Sequence, residues 1–440
     1  MAVTEKMKQG GPERRFPGFK YLVIVGMGLI LLIPLVMIRG LVDERHYRSL
    51  SVSEEIRSLW GGYQRLSGPY LAVPYRYRYL DAEGEERIGR REAYFLPEEL
   101  DIRGELLPES RSRGIYSVSL FMAELELSGS FNFPDASKLG IAAEDLLFDE
   151  ARLYLSLADP RGIRSAEGVS WNGTAVAPEP GTDPVEGSGA VWIPVDLNSS
   201  TRAESYPFEL RLDLACGGSL MLVPAGRETR VELISSWPSP SYTGAYLPTA
   251  HELEDDGFRA DWELSALGRA FPMSWTSAEP PVSTLSASAF GVEFFDPVNL
   301  YAKNERAVKY GLLFVLVPFL VFVLAELLTR IRIHPLQYLI AVSANLIFFL
   351  LLLSLSEHIP FYFAFLLAAG GSAGELFFYS RYALGSRGVA WSMLAASAGL
   401  YGFLYTALQS EDYALLIGSV GLFLILGLVM LLTGRIRWYG

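Results

Sequence analysis

Two carboxylates stand where a bilayer would make them costly. Glu326 lies in the apolar run 310–328 and Glu375 in the run 360–379, each near the end that leads into arginines. An ionised side chain in hydrocarbon loses its hydration, so such groups face a cavity, pair with a cation or take part in chemistry. Glu326 precedes Arg330 by four residues, which puts both on one helix face. Glu375 precedes Arg381 by six, which does not. Asn345 sits in the middle of a third run, 335–355. With the two acids and the basic loop residues it makes a candidate intramembrane polar cluster that could line a cavity. The plainer alternative is that both acids lie shallow enough to reach water or an arginine.

Other patterns are weaker. Gly370-Gly371-Ser372-Ala373-Gly374 fits G-x-S-x-G, but a nucleophile elbow needs a strand–turn–helix setting with a His and an acid. Here the motif lies in an apolar run and no His follows His358. Gly370 and Gly374, four apart, read instead as close helix packing. His46, His251, His334 and His358 have no metal-ligand spacing. Glu357-His358 reads as an interfacial cap. In the polar half of the chain, Trp237-Pro-Ser-Pro240, Tyr242 and Tyr246 form an aromatic, proline-rich stretch. It is either a recognition surface, where aromatic anchors dominate, or a rigid packed loop. Arg161 in Asp159-Pro-Arg-Gly162 either binds an anion or tethers its own turn. No catalytic residue, metal or cofactor is expected, and no enzyme.

The elements that must hold these groups follow from apolar length. About 20 apolar residues span a bilayer core of roughly 30 Å. Runs 21–38, 310–328, 335–355, 360–379, 389–408 and 413–432 qualify. The ends near Arg330, Arg332, Arg381, Arg387, Arg435 and Arg437 are basic, and those near Glu357, Glu411 and Asp412 are acidic. Basic loops stay in the cytoplasm, so the expected topology is six spans with both termini inside. The first run has no small-residue cleavage signature and reads as an uncleaved signal anchor. Its helix continues through 41–60 and stops at Gly61-Gly62.

The expected fold class is an α+β membrane protein: six transmembrane helices, one N-terminal and five C-terminal. A large antiparallel, sandwich-like β-rich domain is inserted between helices one and two. The divisions are a cytoplasmic 1–20, helix 21–38, an outer domain 39–309, a five-helix bundle 310–432 and a cytoplasmic 433–440. Residues 39–308 hold 42 Asp and Glu against 25 Lys and Arg. That acidity speaks against a nucleic-acid partner. The lone Cys216 excludes an intrachain disulfide and reads as a small buried residue. Alternation from Leu71 to Tyr79 and the runs 115–133, 151–157, 191–195, 208–215, 219–223 and 229–235 read as strands. Segments 115–173 and 205–265 share a strand–turn–Trp pattern that suggests a duplicated unit.

Several longer stretches carry a resemblance: SGPYLAVPY (67–75), YFLPEEL (94–100), ADPRGI (158–163), LVPAGRET (222–229), SSWPSPSYTGAYLP (235–248), HPLQYL from His334 and LLLLSLSEH ending at His358. Together they resemble the inner-membrane protein CreD family of Gram-negative bacteria, from about Leu29 to Tyr439. The resemblance implies an inner-membrane protein whose outer domain is periplasmic. It implies a cell-envelope integrity role in the regulon of a CreB/CreC-type two-component system, with envelope-stress, colicin and β-lactam phenotypes. It supplies no catalytic or ligand residues. The expected partners are the lipid bilayer and an envelope component or membrane protein bound by the outer domain. The alternative is a transporter of a lipid or envelope intermediate through the bundle.

Overall fold

The computed structural model describes residues 17–197, 205–254, 256–294, 300–329, 331, 333–410 and 413–434. The basic stretch 1–16 and the loop charges Arg330, Arg332, Glu411, Asp412, Arg435 and Arg437 lie outside the described residues. The chain forms two compact units, residues 1–49 with 298–440, and residues 50–297.

The helical unit begins with α1 (Pro17–Trp60), an unbroken helix that keeps Pro34 inside it; its last turns, from residue 50, belong to the β unit. Its buried residues Ile24, Leu31, Ile38 and Val42 recur at seven, seven and four, a single stripe. Leu22, Leu29, Ile33 and Met37, equally apolar, are exposed. A helix apolar all round with one buried stripe is built for lipid. After the short α2 (Val282–Ala287) of the β unit come α3 (Leu300–Lys309) and α4 (Gly311–Thr329). These two are bent by 43° about Tyr310. Then follow α5 (Pro335–Ser356), α6 (Phe361–Ala383), α7 (Arg387–Gln409) and α8 (Ala414–Thr433). Among the described residues, the stretch 22–60, α5 and α6 are each long and apolar enough to cross a membrane, and α3 with α4 reaches that length only when the bent pair is taken as one span.

Helix α5 starts with a reciprocal cap. The Leu336 amide donates to His334 Nδ1 at 3.2 Å and the His334 amide donates to Gln337 Oε1 at 2.9 Å. At its other end Glu357 takes the C-cap position and accepts from Tyr301 Oη at 3.2 Å. Around its middle, Phe314, Phe348, Phe349 and Tyr401 pack ring on ring, with centroids 4.7 to 5.6 Å apart.

The β unit runs through β1 (Gln64–Leu80), β2 (Glu86–Phe95), β3 (Glu99–Arg113), β4 (Tyr116–Asn132), β5 (Arg152–Leu157), β6 (Ile163–Trp171), β7 (Thr174–Ala175), β8 (Glu179–Thr182) and β9 (Gly189–Pro194). It continues through β10 (Ser205–Cys216), β11 (Ser219–Leu222), β12 (Glu228–Ser235), β13 (Pro240–Gly244), β14 (Ala250–Glu254), β15 (Gly257–Ser265), β16 (Ser274–Thr276) and β17 (Phe290–Phe294). One sheet has the order β13-β17-β11-β1-β5-β9-β8, with β2 and β16 joined through β1. The other is β14-β15-β12-β3-β4-β10-β6-β7. Rings from the two sheets meet across one core, Phe121 with Phe294 at 4.3 Å and Trp262 with Phe290 at 5.5 Å.

This is a sandwich, but not a purely antiparallel one. β1 pairs with β11 in parallel and β3 with β12 likewise. Alternation along a strand reports which residues face the core and says nothing of a neighbour's direction, so sequence-distant strands were free to pair either way. The suggested duplication finds no common strand order. β5 lies in the first sheet while β4 and β6 lie in the second, whereas the matching β10, β12 and β15 all lie in the second. Nor is β1 half-buried where alternation suggested it, since residues 68–75 are buried throughout. The far face there is covered in part by the chain near Leu146, and the Leu147 amide donates to Pro74 O at 2.8 Å.

The end of α1 is locked into the β unit. Trp60 lies between the guanidinium groups of Arg111 and Arg164, at 4.6 and 4.9 Å. The Gly62 amide donates to Arg57 O and the Gly217 amide to Gly62 O. Gly61 has φ +140°, and a Cβ there would sit 2.5 Å from Ala215 O. Gly61→Ala therefore combines backbone strain with a steric clash. It is expected to cost about 1–3 kcal/mol, read as a lowered denaturation midpoint of the β unit in the full-length protein. An unchanged midpoint would show that this close approach is not maintained. Cys216 is fully buried, and burial pushes its thiol pKa well up. It should resist maleimide in the native protein and react once the β unit unfolds; rapid native labelling would contradict the assigned packing.

Candidate functional site

One face of α5 carries a column of buried polar side chains. Tyr338, Asn345 and Ser356 are 0, 1 and 5% exposed. Their spacings of seven and eleven residues are whole numbers of helical turns. Each reaches at least one neighbouring helix. Tyr338 Oη donates to Glu326 Oε2 of α4 at 2.9 Å. Asn304 of α3 donates to Ser356 Oγ at 3.0 Å. Between them Asn345 Nδ2 donates to the backbone carbonyl of Phe314 at 3.2 Å, and Asn345 Oδ1 accepts from Tyr401 Oη of α7 at 3.1 Å.

The Phe314 carbonyl needs this partner. In a helix it would accept from the amide four residues on, but that residue is Pro318, inside α4. Proline has no N–H, and hydrocarbon offers no water to replace it. Asn345 supplies the missing donor from another helix. Pro318 is the signal that could have located Asn345's role: a proline inside an apolar run leaves one carbonyl looking for a side chain.

Of the three candidate cluster residues, Glu326 and Asn345 thus join separate bonds on one face of α5. Glu375 stands apart. It is exposed on α6, in a groove of about 980 Å³ beside α5 that Ala341, Ala344, Gly370, Gly371 and Gly374 also line. Among the described residues it has no hydrogen bond or ion pair. Among the described residues nothing packs on Gly370 or Gly374, since a Cβ on either would meet nothing within 4 Å. Ser372 is buried in mid-helix rather than at a strand–helix elbow.

In the β unit the aromatic stretch turns inward. Trp237 stacks on Phe294, 5.1 Å between centroids and 4° between planes, and its Nε1 donates to Ser239 O at 3.0 Å. Tyr242 packs edge-on against Trp262, and burial pushes its hydroxyl pKa up. Tyr246 Oη donates to Gly268 O at 3.0 Å, and its ring meets Phe290 edge-on. Arg161 closes on its own turn. Its Nη2 donates to Asp159 Oδ2 at 2.6 Å, which holds the Asp159 carboxyl below its ordinary pKa.

Two polar anchors in the β unit had no sequence signal. Tyr70 hydrogen-bonds Asp183, a carboxylate only 1% exposed, and burial followed by that charge pushes the Tyr70 pKa well up. Arg269 Nη1 donates to the carbonyls of Pro224, Ala225 and Gly226 at 2.5, 2.9 and 2.8 Å, and burial brings its pKa down to about 10. Both bonds join segments far apart in sequence.

Membrane-length apolar helices, tied by buried side-chain hydrogen bonds and accompanied by a separate two-sheet unit, define a multi-pass membrane protein with a large β domain. A family model described as Inner membrane protein CreD matches residues 17–439. Inner membrane protein CreD of Escherichia coli (strain K12) is 33% identical over 427 residues, 96% of this chain and 93% of that protein. The chain belongs to the CreD family of inner membrane proteins. A crystal structure of a putative nutrient binding protein from Legionella pneumophila is 10% identical and covers 49% of this chain and 74% of its own. Its TM-score of 0.23 is too low to argue from.

The Asn345 bonds can be weighed by a double-mutant cycle. Asn345→Leu orphans both the Phe314 carbonyl and Tyr401 Oη, and should destabilise the bundle by about 1–2 kcal/mol in a detergent unfolding titration. With Pro318→Ala the carbonyl regains a helical donor, so Asn345→Leu should then cost less. Equal costs in both backgrounds would break the link between the proline and the asparagine.

Proposed function

We propose that this protein is a six-span inner-membrane protein with both termini in the cytoplasm and residues 39–309 in the periplasm. It supports envelope integrity by binding an envelope component or partner through the β domain while the helices anchor it. It is not an enzyme in this reading. What supports the span count is that α1, α4, α5, α6, α7 and α8 each overlap one of the six apolar runs. The role itself is brought from the family.

The observation that carries the choice of anchor over passage is the middle of the bundle. The rings of Phe314, Phe348 and Tyr401 occupy the space between α4, α5 and α7, and Asn345 there is bonded on both its amide atoms. A lipid or envelope intermediate passing between these helices would have to break those bonds. The binding surface in this reading is not the packed aromatics but the exposed residues they position. Leu247 and Leu267 are 73 and 97% exposed. The Tyr246–Gly268 bond ties their two segments together.

Two measurements test the proposal. In a Cys216→Ser background, a membrane-impermeant maleimide should label Leu267→Cys in intact spheroplasts and Arg387→Cys only after permeabilisation; the reverse pattern would overturn the topology. A photo-crosslinker at Leu247 or Leu267 should capture one defined envelope component, and Leu247→Asp should abolish the adduct and lower envelope resistance together. Full resistance with both leucines replaced by aspartate would remove this surface from the function.

A further inference from the structure

The groove beside α5 and α6 combines two features that work against the chain on its own. Glu375 lies six residues before Arg381, about 9 Å along the axis of α6, and inside the apolar run 360–379 that a hydrocarbon layer roughly 30 Å thick would enclose. It is exposed there without a hydrogen bond or ion pair among the described residues. A bare carboxylate facing lipid is strongly disfavoured. Gly370, Gly371 and Gly374 lie alongside it, and a Cβ at any of the three would meet open space. Glycine is among the poorest helix formers, and nothing among the described residues packs close enough to need it at these positions. Their backbone is laid bare toward the groove.

We propose that this groove is the seat of a transmembrane helix from a partner membrane protein, one that brings a cationic or amide side chain to Glu375. Close approach of a helix backbone is what a glycine-lined surface permits between helices in a membrane. Charge complementarity sets the chemistry of the incoming side chain: Lys, Arg or His, or the amide of Asn or Gln. The depth of Glu375 argues for a protein donor over a lipid headgroup, which stays at the interface. A second copy of this chain fits poorly, because a two-fold contact would set the same face against itself and bring two carboxylates together. The inference needs only that α6 crosses the bilayer. It is independent of what the β domain binds.

The test uses the full-length protein in its native membrane. A photo-crosslinking residue replaces Phe378, exposed and lining the groove, and in a control replaces Phe423, exposed on α8. The expected result is a protein adduct from position 378 alone. Its crosslinked peptide should map to a transmembrane segment that carries Lys, Arg, His, Asn or Gln. Gly374→Leu should abolish the adduct. Glu375→Ala should lower its yield roughly three- to thirtyfold, the range for one interhelical hydrogen bond in a membrane. Protein level and monodispersity in detergent serve as the folding check, and Glu375→Ala keeps the test decisive should Gly374→Leu fail to insert. An adduct only to a second copy, adducts only to lipid, no adduct, or a protein adduct that Glu375→Ala leaves unchanged would each overturn the proposal.

Discussion

A backbone carbonyl without a donor governs the helical unit. Pro318 withdraws the amide that would serve Phe314 O, and a bilayer has no water to take its place. The bond must come from a neighbouring helix, and Asn345 provides it while Tyr401 holds the other end of the same amide. One bond of this kind contributes little, about 0.6 kcal/mol on average and up to 1–2 in model peptides. Its value lies in register. Lipid is as apolar as leucine, so sliding α4 past α5 changes packing slightly, whereas it breaks this bond outright. Tyr338 with Glu326 and Ser356 with Asn304 repeat the device toward either end of α5. Together these four bonds set which residues of α3, α4 and α7 face α5.

The β unit meets the same requirement in a watery setting. Its stability comes mainly from apolar burial between two sheets, at roughly 25 cal/mol per Å². Its polar bonds choose among the ways that burial could be achieved. Tyr70 with Asp183 ties the loop after β8 to β1, and Arg269 gathers three carbonyls from the turn between β11 and β12. The glycines at the end of α1 let backbone meet backbone where a side chain would not fit. A polar group left unpaired in such a place costs more than its bond contributes, so the unit tolerates few alternatives.

The aromatic stretch around Trp237 shows how a composition signal divides once folded. Aromatic residues with prolines suit a recognition surface or a packed loop equally well by type. Trp237 on Phe294, Tyr242 on Trp262 and Tyr246 on Phe290 place the rings against the core. The rings stay half-buried, while Leu247 and Leu267, single leucines that nothing in the sequence marks as special, stand exposed. Arg161 resolves in the same direction, its guanidinium occupied by the carboxylate two residues before it.

Local chemistry was legible in the sequence. The apolar runs, the end of α1 at Gly61-Gly62, the position of most strands and the burial of Cys216 follow from side-chain hydropathy, period and glycine geometry within a few residues. Each of these depends on the chain's immediate neighbours, which the sequence lists. Other features depend on partners a hundred residues away, and only the tertiary structure decided them. β1 met β11 in parallel, Asn345 found the carbonyl that Pro318 left open, and Asp183 found Tyr70. The sharpest case is Gly370-x-x-x-Gly374 with Glu375. By spacing the glycines read as close helix packing, and the acid as either part of a polar cluster or shallow enough to reach water or an arginine; in the fold both line the groove beside α5 and α6. A helix that is apolar on every side gives hydropathy no way to choose among its faces. Which face it hides is settled by the other helices, through packing and hydrogen bonds that no local pattern encodes.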